Sequence, residues 1–529
     1  MIGGKNFIGS KQSAEGEVTY KTYNPKLDVE NAWTFYKATS KEIDAAAKKA
    51  EDAFPAFQQK SGKERAVFLR AIATEIEALG NELIETYTTE SGLLEGRAIG
   101  ERGRTINQLK AFADLLDEGS WVKATIETAQ PEREPLPKPD LRKIYKPLGP
   151  VAVFGASNFP FAFSTAGGDT ASALAAGCPV VVKSHPMHAG TSELVAKAIL
   201  TAAEKTNMPD GVFSHLNSKD IKVGAQLVRH PAIKAVGFTG SKKGGIALCQ
   251  IAAEREEPIP VFAEMGSVNP VIILPGAAEK NADKWAKTYA GSINLGAGQF
   301  CTNPGLIFGI AGDELTSFSK LLSQYLLDQK SGCMLHPAIA ENYNKGQRKF
   351  LEENGVETLA LGFEAEGENY GKQALLKVSG TDFVNNKNLH QEVFGPMSLL
   401  VECESKTQLV EIIMNLEGQL TGTILAEDNE AHQYADLMHA LSSRVGRIIF
   451  NNVPTGVEVC AAMQHGGPFP ASSDSRFTSV GTHAIERWVR PLSFQDWPDD
   501  LLPPELQNAN PLQILRAVNG SFSRDSIKS

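Results

Sequence analysis

The order of apolar and amphipathic segments after Pro150 limits the possible folds more than any other feature of this sequence. Short apolar runs rich in β-branched residues occur at 151–154, 180–182, 235–239 and 271–274. Segments with helical periodicity lie between them, at 191–205 and 219–229. Buried strands joined by helices run parallel, because each crossover returns the chain to the same edge of the sheet. The sequence therefore predicts an α/β fold with an open, doubly wound, Rossmann-like sheet.

Charge and hydropathy exclude several classes of protein. The net charge of -10 and the scattered lysines and arginines predict no nucleic-acid partner. No run of 18 apolar residues occurs, and residues 1–10 lack the pattern of a signal peptide. We therefore expect a cytoplasmic protein with no membrane partner. The six cysteines form no Cys-x-x-Cys pair and have no companions at metal-binding spacing, so we expect free thiols and no metal.

One cysteine lies in a loop of small residues, Gly296-Ala-Gly-Gln-Phe-Cys301-Thr-Asn-Pro-Gly305. Small residues let a flat ligand approach the backbone closely. Three more motifs accompany this loop: Ser157-Asn158-Phe-Pro160, Phe262-Ala-Glu264-Met-Gly266 and Glu392-Val-Phe394-Gly-Pro396. Taken together and in this order, the four motifs resemble those of the aldehyde dehydrogenase superfamily. The resemblance covers nearly the whole chain.

The resemblance implies a role for each reactive side chain. Cys301 matches the nucleophile that forms a hemithioacetal and then a thioester with the aldehyde. Asn158 matches the residue that stabilises the oxyanion, a contact worth about 3–4 kcal/mol in such sites. Glu264 matches the general base that activates water, and a partly apolar pocket would raise its pKa towards neutrality.

The resemblance also implies a nicotinamide cofactor. The segment Phe238-Thr-Gly240-Ser241-Lys-Lys-Gly-Gly245 follows a predicted strand and opens a predicted helix, where backbone N–H groups can meet a pyrophosphate. It is similar to the Gly-Ser-x-x-x-Gly variant of the family. Lys183 matches the lysine that contacts the adenosine ribose. Glu392 and Phe394 match the residues that hold the nicotinamide ribose and ring.

A departure from the common pattern favours NADP, with NAD as the alternative cofactor. Many NAD-preferring members carry a glutamate three residues after the strand-end lysine, and here that position is Pro186. Lys183, Ser184 and His185 therefore present a cation, a hydroxyl and an imidazole without a carboxylate. Such a set can accept a 2′-phosphate.

Segments 258–270, 298–305 and 472–481 look like those of α-ketoglutaric semialdehyde (2,5-dioxovalerate) dehydrogenases, which form 2-oxoglutarate. The NADP-dependent fatty aldehyde dehydrogenases of luminous bacteria share several of these features. A carboxylate substrate needs a cation, and Arg102 and Arg104 are the candidates, with Phe159 as an apolar contact. Two alternatives from other classes stay open: a thiol esterase, and a structural relative without turnover.

The segments also predict a domain organisation. Residues 1–125 and 147–264 are assigned to the cofactor-binding domain, and residues 265–477 to the α/β catalytic domain. Residues 126–146 and 478–529 are predicted to supply oligomerisation strands, with a Pro-rich, acidic surface tail at 496–505. Exposed ribbons of this kind require a covering subunit, so we expect a homodimer or homotetramer.

Overall fold

The computed structural model describes residues 2–363 and 367–527; residues 1, 364–366, 528 and 529 of the predicted domains lie outside this description. Its first sheet contains, from edge to edge, the strands Val261–Glu264, Ala235–Thr239, Val151–Phe154, Val180–Lys183, Phe213–Leu216, Asn6–Ile8 and Lys11–Ser13. The chain winds from Val151–Phe154 towards one edge and then returns through Ala235–Thr239 to the other edge. The strands from Val151 to Glu264 pair in parallel. The predicted doubly wound α/β fold is confirmed.

Alternation along these strands builds a core on each face of the sheet. Val151 and Val153 pack into one cluster, while Ala152 and Phe154 pack into another. Successive strand residues point to opposite faces, so a run without polar residues marks a strand that is buried on both sides. The helices in this part of the chain are Ser40–Phe57, Gly62–Ala78, Gly80–Ser91, Glu95–Glu118, Gly168–Ala176, Ala189–Lys205, Ile221–Arg229 and Lys242–Ala253.

The first two helices begin where the sequence provides complete capping boxes. Thr39 accepts a hydrogen bond from the backbone N–H of Glu42, whose carboxylate accepts from the backbone of Thr39 in return. Ser61 and Glu64 repeat the arrangement one helix later. Each box satisfies backbone donors that the first helical turn leaves unpaired.

The second sheet follows the same plan. From edge to edge its strands are Glu357–Leu361, Ala374–Ser379, Met397–Cys403, Leu306–Ile310, Val271–Ile273, Gln419–Leu425 and Val445–Phe450. All neighbours pair in parallel except Glu357–Leu361, which is antiparallel to Ala374–Ser379. Its helices are Pro275–Asn294, Asp313–Leu327, Pro337–Leu351, Gly380–Asn385, Lys406–Asn415, Asp428–Ala431 and Ala435–Ser442.

A third sheet combines distant parts of the chain. Its strands are Val489–Gln495, Leu141–Pro147, Thr125–Glu127, Arg516–Val518 and Ser521–Ser523. The predicted surface tail at 496–505 is wrong in part, because Leu502 is buried in a small core against Ile144 and Ile126. Residues 482–488 belong to the segment predicted to supply oligomerisation strands, but they do not join the third sheet. They form a 3-10 helix whose Trp488 packs against Phe262 in the first core.

Short two-stranded sheets complete the described strands: Thr19–Tyr20 with Phe35–Tyr36, Tyr23–Asn24 with Val29–Glu30, and Gly332–Cys333 with Tyr370–Gly371. Within residues 2–363 and 367–527, no helix is long and apolar enough to cross a membrane.

Candidate active site

The polar motifs lie where strands of the first sheet end. Glu264 is the last residue of its strand, Ser241 follows Thr239 by two positions, and Asn158 follows Phe154 by four. The strands that precede Asn158 and Ser241 are neighbours in the sheet, and the chain reverses its winding direction between them. Such a switch point opens a crevice at the carboxyl edge of the sheet, which is where α/β folds bind ligands.

The Cys301 loop faces this crevice and is held in place by Asn269. The side-chain amide of Asn269 donates to the carbonyl oxygens of Cys301, at 2.8 Å, and of Asn303, at 2.9 Å. Thr421 donates to the other end of the same amide at 3.0 Å. Asn269 is fully buried and has φ 45°, a conformation that asparagine tolerates better than most residues. The backbone around the thiol is therefore rigidly positioned.

Asn158 lines the same crevice, and one N–H group of its side-chain amide is available to a ligand. Its side-chain nitrogen donates to the carbonyl oxygen of Gln299 at 3.0 Å, which fixes the orientation of the amide. An amide nitrogen carries two N–H groups. One therefore remains for a ligand in the cavity that Asn158 and Cys301 both line.

Burial controls the protonation of the reactive groups. It raises the pKa of the Cys301 thiol to about 12, and the carboxylates of Glu392 and Glu264 add to the effect. It also raises the pKa of Glu264 to about 8 and that of Glu392 to about 7. The Oε2 atom of Glu264 has no hydrogen-bond partner among the described residues. At neutral pH the thiol is protonated, and most Glu264 side chains are too.

Two cavities meet at the thiol. The first, which we call the crevice cavity, has a volume of about 320 Å³ and contains Glu264 in its lining. The second, the outer cavity, has a volume of about 360 Å³ and lies against the helix Glu95–Glu118. Cys301 and His465 line both. The arrangement gives the sulfur access to different ligands from opposite sides.

The crevice cavity brings together part of the predicted cofactor-binding set. Gly240, Ser241, Glu392 and Phe394 line it, as the resemblance implies. Ser241 caps the helix Lys242–Ala253, so free backbone N–H groups and the positive end of the helix dipole are available for a pyrophosphate. The backbone at Gly266 approaches Glu392 so closely that a Cβ there would lie 2.2 Å from Oε2.

The residues predicted to contact the adenosine part of a cofactor are Lys183, Ser184 and His185, and their surroundings differ. Burial lowers the pKa of Lys183 to about 8, and the described residues give its ammonium no ion pair. Ser184 is fully buried, and its hydroxyl donates to the Asn217 side chain at 3.0 Å. Consecutive residues at a strand end point to opposite sides. The Ser184 hydroxyl is thus engaged within the protein, and its contact with a cofactor stays a prediction.

His185 can act only as a neutral donor. Burial holds its pKa well below the ordinary histidine value, so it is not a cation at neutral pH. Its Nδ1 accepts a hydrogen bond from the backbone of Met187 at 3.3 Å, and its ring stacks on His188 at 5.2 Å. The proton of the neutral ring therefore lies on Nε2, the atom left to meet a ligand.

The two predicted arginines lie in different surroundings. Arg102 donates to the carbonyl oxygen of Gly80 at 3.1 Å and is not part of the outer cavity's lining. Arg104 lines the outer cavity together with Phe159 and Cys301. Its Nε and Nη2 are buried and have no hydrogen-bond partner among the described residues. Burial lowers its pKa, but an arginine stays charged. Of the two predicted arginines, Arg104 therefore lines the cavity beside Cys301 and Arg102 does not.

Sequence reasoning missed two residues here. Arg97 also lines the outer cavity, with its guanidinium carbon 4.4 Å from the ring centre of Phe159, but it is paired with buried Glu101 at 3.4 Å. His465 places Nε2 3.6 Å from the sulfur of Cys301. Arg97 lies in the same helical stretch as the predicted arginines, and His465 directly precedes the Gly466-Gly467 loop. Position next to these segments was the only available signal.

The chain is similar to known proteins over nearly its whole length. The sequence profile of the aldehyde dehydrogenase family matches residues 11–490. The chain is 47% identical over 521 residues to alpha-ketoglutaric semialdehyde dehydrogenase 2 of Azospirillum brasilense, covering 98% of this chain and 99% of the relative. It is 45% identical over 523 residues to alpha-ketoglutaric semialdehyde dehydrogenase of Acinetobacter baylyi, covering 99% of each.

Solved structures share the fold at low identity. Betaine aldehyde dehydrogenase of Staphylococcus aureus in complex with NAD+ superposes with a TM-score of 0.81 and 18% identity, covering 94% of this chain and 96% of that chain. An E. coli NADP dependent enzyme superposes with a TM-score of 0.79 and 22% identity, covering 93% and 98%.

Proposed function

Because the chain belongs to the aldehyde dehydrogenase family, we propose that it oxidises α-ketoglutaric semialdehyde to 2-oxoglutarate through a thioester on Cys301, with NADP as the favoured oxidant. The proposal combines the near full-length similarity to two enzymes of that name with one structural observation. That observation is the buried guanidinium of Arg104 in the cavity that Cys301 also lines, with two nitrogens that have no hydrogen-bond partner among the described residues.

In the first half of the reaction, the sulfur of Cys301 adds to the aldehyde carbon from the outer cavity. The carbonyl oxygen becomes an oxyanion, which the free N–H of Asn158 stabilises without changing its own charge. A nicotinamide held in the crevice cavity by Glu392 and Phe394 would supply the hydride acceptor for this oxidation. Asn269 contributes by fixing the loop, because it holds the carbonyl of Cys301.

In the second half, water must cleave the thioester. Glu264 takes a proton from that water as its oxygen attacks the acyl carbon. A pKa of about 8 leaves a minority of Glu264 ionised at neutral pH and makes it a stronger base than an exposed glutamate. Oxidation by the nicotinamide precedes this step, so Glu264 governs the release of product.

The outer cavity suits a short anionic aldehyde. Phe159, Phe163 and Phe300 line it, and Arg104 lies with its guanidinium carbon 5.1 Å from the ring centre of Phe163. A cation among the aromatic rings interrupts the apolar surface that a long alkyl chain would need. A substrate carboxylate would instead supply the missing partner of Arg104 and form a charge-assisted hydrogen bond.

The direct test compares kcat/KM for 2,5-dioxovalerate, hexanal and a long-chain aldehyde with NADP in excess. We expect the dioxovalerate to exceed hexanal by about ten- to hundredfold, because a hydrogen bond to a charged group contributes about 1.5–3 kcal/mol. A preference for the long-chain aldehyde would assign the enzyme to fatty substrates instead, since each buried methylene contributes about 0.8 kcal/mol.

The NADP preference rests on the surroundings of Lys183. Among the described residues its ammonium has no ion pair, His185 keeps Nε2–H as a donor, and Pro186 supplies no carboxylate to repel a 2′-phosphate. The Ser184 hydroxyl is bonded to Asn217, so the proposal does not depend on it. A ratio of kcat/KM for NADP to NAD well above one would support the assignment, and a ratio below one would overturn it.

We also propose that the third sheet joins subunits into a homodimer or homotetramer. Its strands Val489–Gln495 and Ser521–Ser523 are edges, and Phe522 on the latter is 77% exposed. Exposed edges of this kind invite pairing with another chain. Light scattering at micromolar concentration should give at least twice the mass of one chain, and a monodisperse monomer would refute the assembly.

A further inference from the structure

A carboxylate lies on the loop beside the predicted adenosine site. The strand that ends at Lys183 pairs in parallel with the strand that ends at Leu216, and these two residues are opposite each other in the register. Asp220 follows Leu216 by four positions. Its side chain caps the next helix by accepting a hydrogen bond from the backbone N–H of Lys222 at 2.7 Å. Because parallel strands end at the same edge of a sheet, Asp220 and Lys183 lie at one edge.

The carboxylate of Asp220 is ionised and its charge reaches Lys183. Hydrogen bonds from the side chain of Lys37 and the backbone of Lys222 hold the pKa of Asp220 below its ordinary range. Burial lowers the pKa of Lys183 to about 8, and the charge of Asp220 opposes that shift. A carboxylate that attracts this ammonium would repel a 2′-phosphate bound to it. By itself, Asp220 would therefore favour NAD over NADP.

Lys37 supplies a counter-charge to this carboxylate. Its Nζ lies 2.7 Å from Oδ2 of Asp220, and the two side chains are 27% and 30% exposed. The next residue, Ala38, donates its backbone N–H to the carbonyl oxygen of Asn217 at 2.9 Å. The backbone beside Lys37 is therefore attached to the loop that carries Asp220 by a contact that does not involve the ion pair.

We propose that Lys37 determines cofactor specificity by neutralising Asp220 beside the 2′-phosphate of NADP. Lys37 acts through Asp220, so it is a positioning residue and not a ligand of the cofactor. The inference rests on the proposed binding of the adenosine ribose at Lys183. Removal of Lys37 leaves a negative charge that nothing cancels, and this charge opposes NADP more than NAD because only NADP carries the extra phosphate.

The test measures binding of 2′,5′-ADP and 5′-ADP to the full-length protein by isothermal titration calorimetry. The two probes differ only in the 2′-phosphate, so the ratio of their Kd values isolates its contribution. Lys37→Gln should weaken binding of 2′,5′-ADP by at least about fivefold and that of 5′-ADP by less than about twofold, because like charges repel within a Debye length of about 8 Å. Lys37→Arg keeps the charge and should keep the wild-type ratio. Equal Kd ratios in Lys37→Gln and the wild type would overturn the proposal.

Asp220→Asn separates action through the carboxylate from direct contact with the phosphate. Asparagine can still cap the helix, so the loop should keep its structure. This variant should bind 2′,5′-ADP more tightly than the wild type does. In the double variant of Lys37→Gln with Asp220→Asn the pair is again neutral, and the Kd ratio should return towards the wild-type value. A loss from Lys37→Gln that persists in full in the Asp220→Asn background would show direct contact and overturn the proposal.

A second ion pair in the same domain supplies a matched control. The Nζ of Lys49 lies 2.6 Å from Oδ2 of Asp210, and the side chains are 31% and 49% exposed. Asp210 precedes the strand Phe213–Leu216, so it lies at the opposite edge of the sheet from Lys183. Exposed ion pairs contribute little to stability, so both lysine variants should fold. Lys49→Gln should leave the Kd ratio unchanged, and a loss equal to that of Lys37→Gln would refute a local effect.

Kinetics with the intact cofactors keep this inference separate from the proposed NADP preference. Lys37→Gln should lower the ratio of kcat/KM for NADP to NAD from its wild-type value, chiefly by raising KM for NADP. A wild-type ratio below one would overturn the NADP preference alone. An unchanged ratio in Lys37→Gln would overturn the role of Lys37, whichever cofactor the wild type prefers.

Discussion

Removing the free guanidinium of Arg104 should erase the enzyme's preference for an anionic aldehyde. The change is Arg104→Leu, which keeps a similar apolar stem against Phe159 and Phe163. Two buried nitrogens of the guanidinium have no partners among the described residues, so the loss of these nitrogens breaks no hydrogen bond there. We therefore expect little change in Tm, because removing an unsatisfied buried donor relieves a desolvation cost.

The magnitude follows from the contact that Arg104 is proposed to make. A charge-assisted hydrogen bond contributes about 1.5–3 kcal/mol, which corresponds to about a ten- to hundredfold loss in kcat/KM for 2,5-dioxovalerate. Hexanal carries no carboxylate, so its kcat/KM should change by less than about threefold. The loss should appear mainly in KM, because the carboxylate contact is present in both the ground state and the transition state.

The assay is the initial rate of reduced nicotinamide formation at saturating NADP. Arg102→Leu is the matched control, since Arg102 lies on the same helix but donates to Gly80 outside the outer cavity. Equal losses for both aldehydes in Arg104→Leu would show a structural role. A loss for the dioxovalerate in Arg102→Leu and not in Arg104→Leu would refute the reasoning from the cavity.

The other predictions concern the proposed machinery. Cys301→Ala should abolish aldehyde oxidation and any ester hydrolysis, since both need the sulfur; turnover in that variant would refute the thioester. Glu264→Gln should keep a rapid burst of reduced cofactor but lose steady-state rate. Because a carboxylate is a base only above its pKa, the wild-type steady-state rate should rise through about pH 8, and this rise should vanish in the variant. Equal loss of burst and steady state would contradict the assignment. Pro186→Glu should lower kcat/KM for NADP much more than for NAD, and an unchanged ratio would place the phosphate elsewhere.

The features that the sequence predicted are local. The strands at 151–154 and 235–239 have the predicted bounds, because a continuous apolar run can be buried on both faces only in the middle of a parallel sheet. The motif residues Asn158, Ser241 and Glu264 follow such runs, so topology alone brings them to one edge. Nothing more than chain order and strand direction was needed.

The features that the sequence did not predict depend on distant contacts. Ser184 is turned away because Asn217, on another strand end, takes its hydroxyl. Arg97 is neutralised by Glu101, whose carboxylate also accepts from the backbone of Phe161 at 2.8 Å. Periodicity places Arg97 and Arg104 on one helix, but it cannot show which of the two is already in an ion pair. His465 reaches Cys301 across 164 positions, a contact with no local signature.

In the resting site, burial keeps the thiol and the imidazole uncharged but leaves Arg104 charged. At neutral pH the thiol of Cys301 and the imidazole of His465 are both uncharged, because burial disfavours their ionised forms. Arg104 cannot follow them, since a guanidinium stays protonated even when buried. A neutral aldehyde in the outer cavity therefore takes solvent from this cation without adding a negative charge. An aldehyde with a distal carboxylate adds that charge, so the burial that disfavours a resting thiolate also favours an anionic substrate.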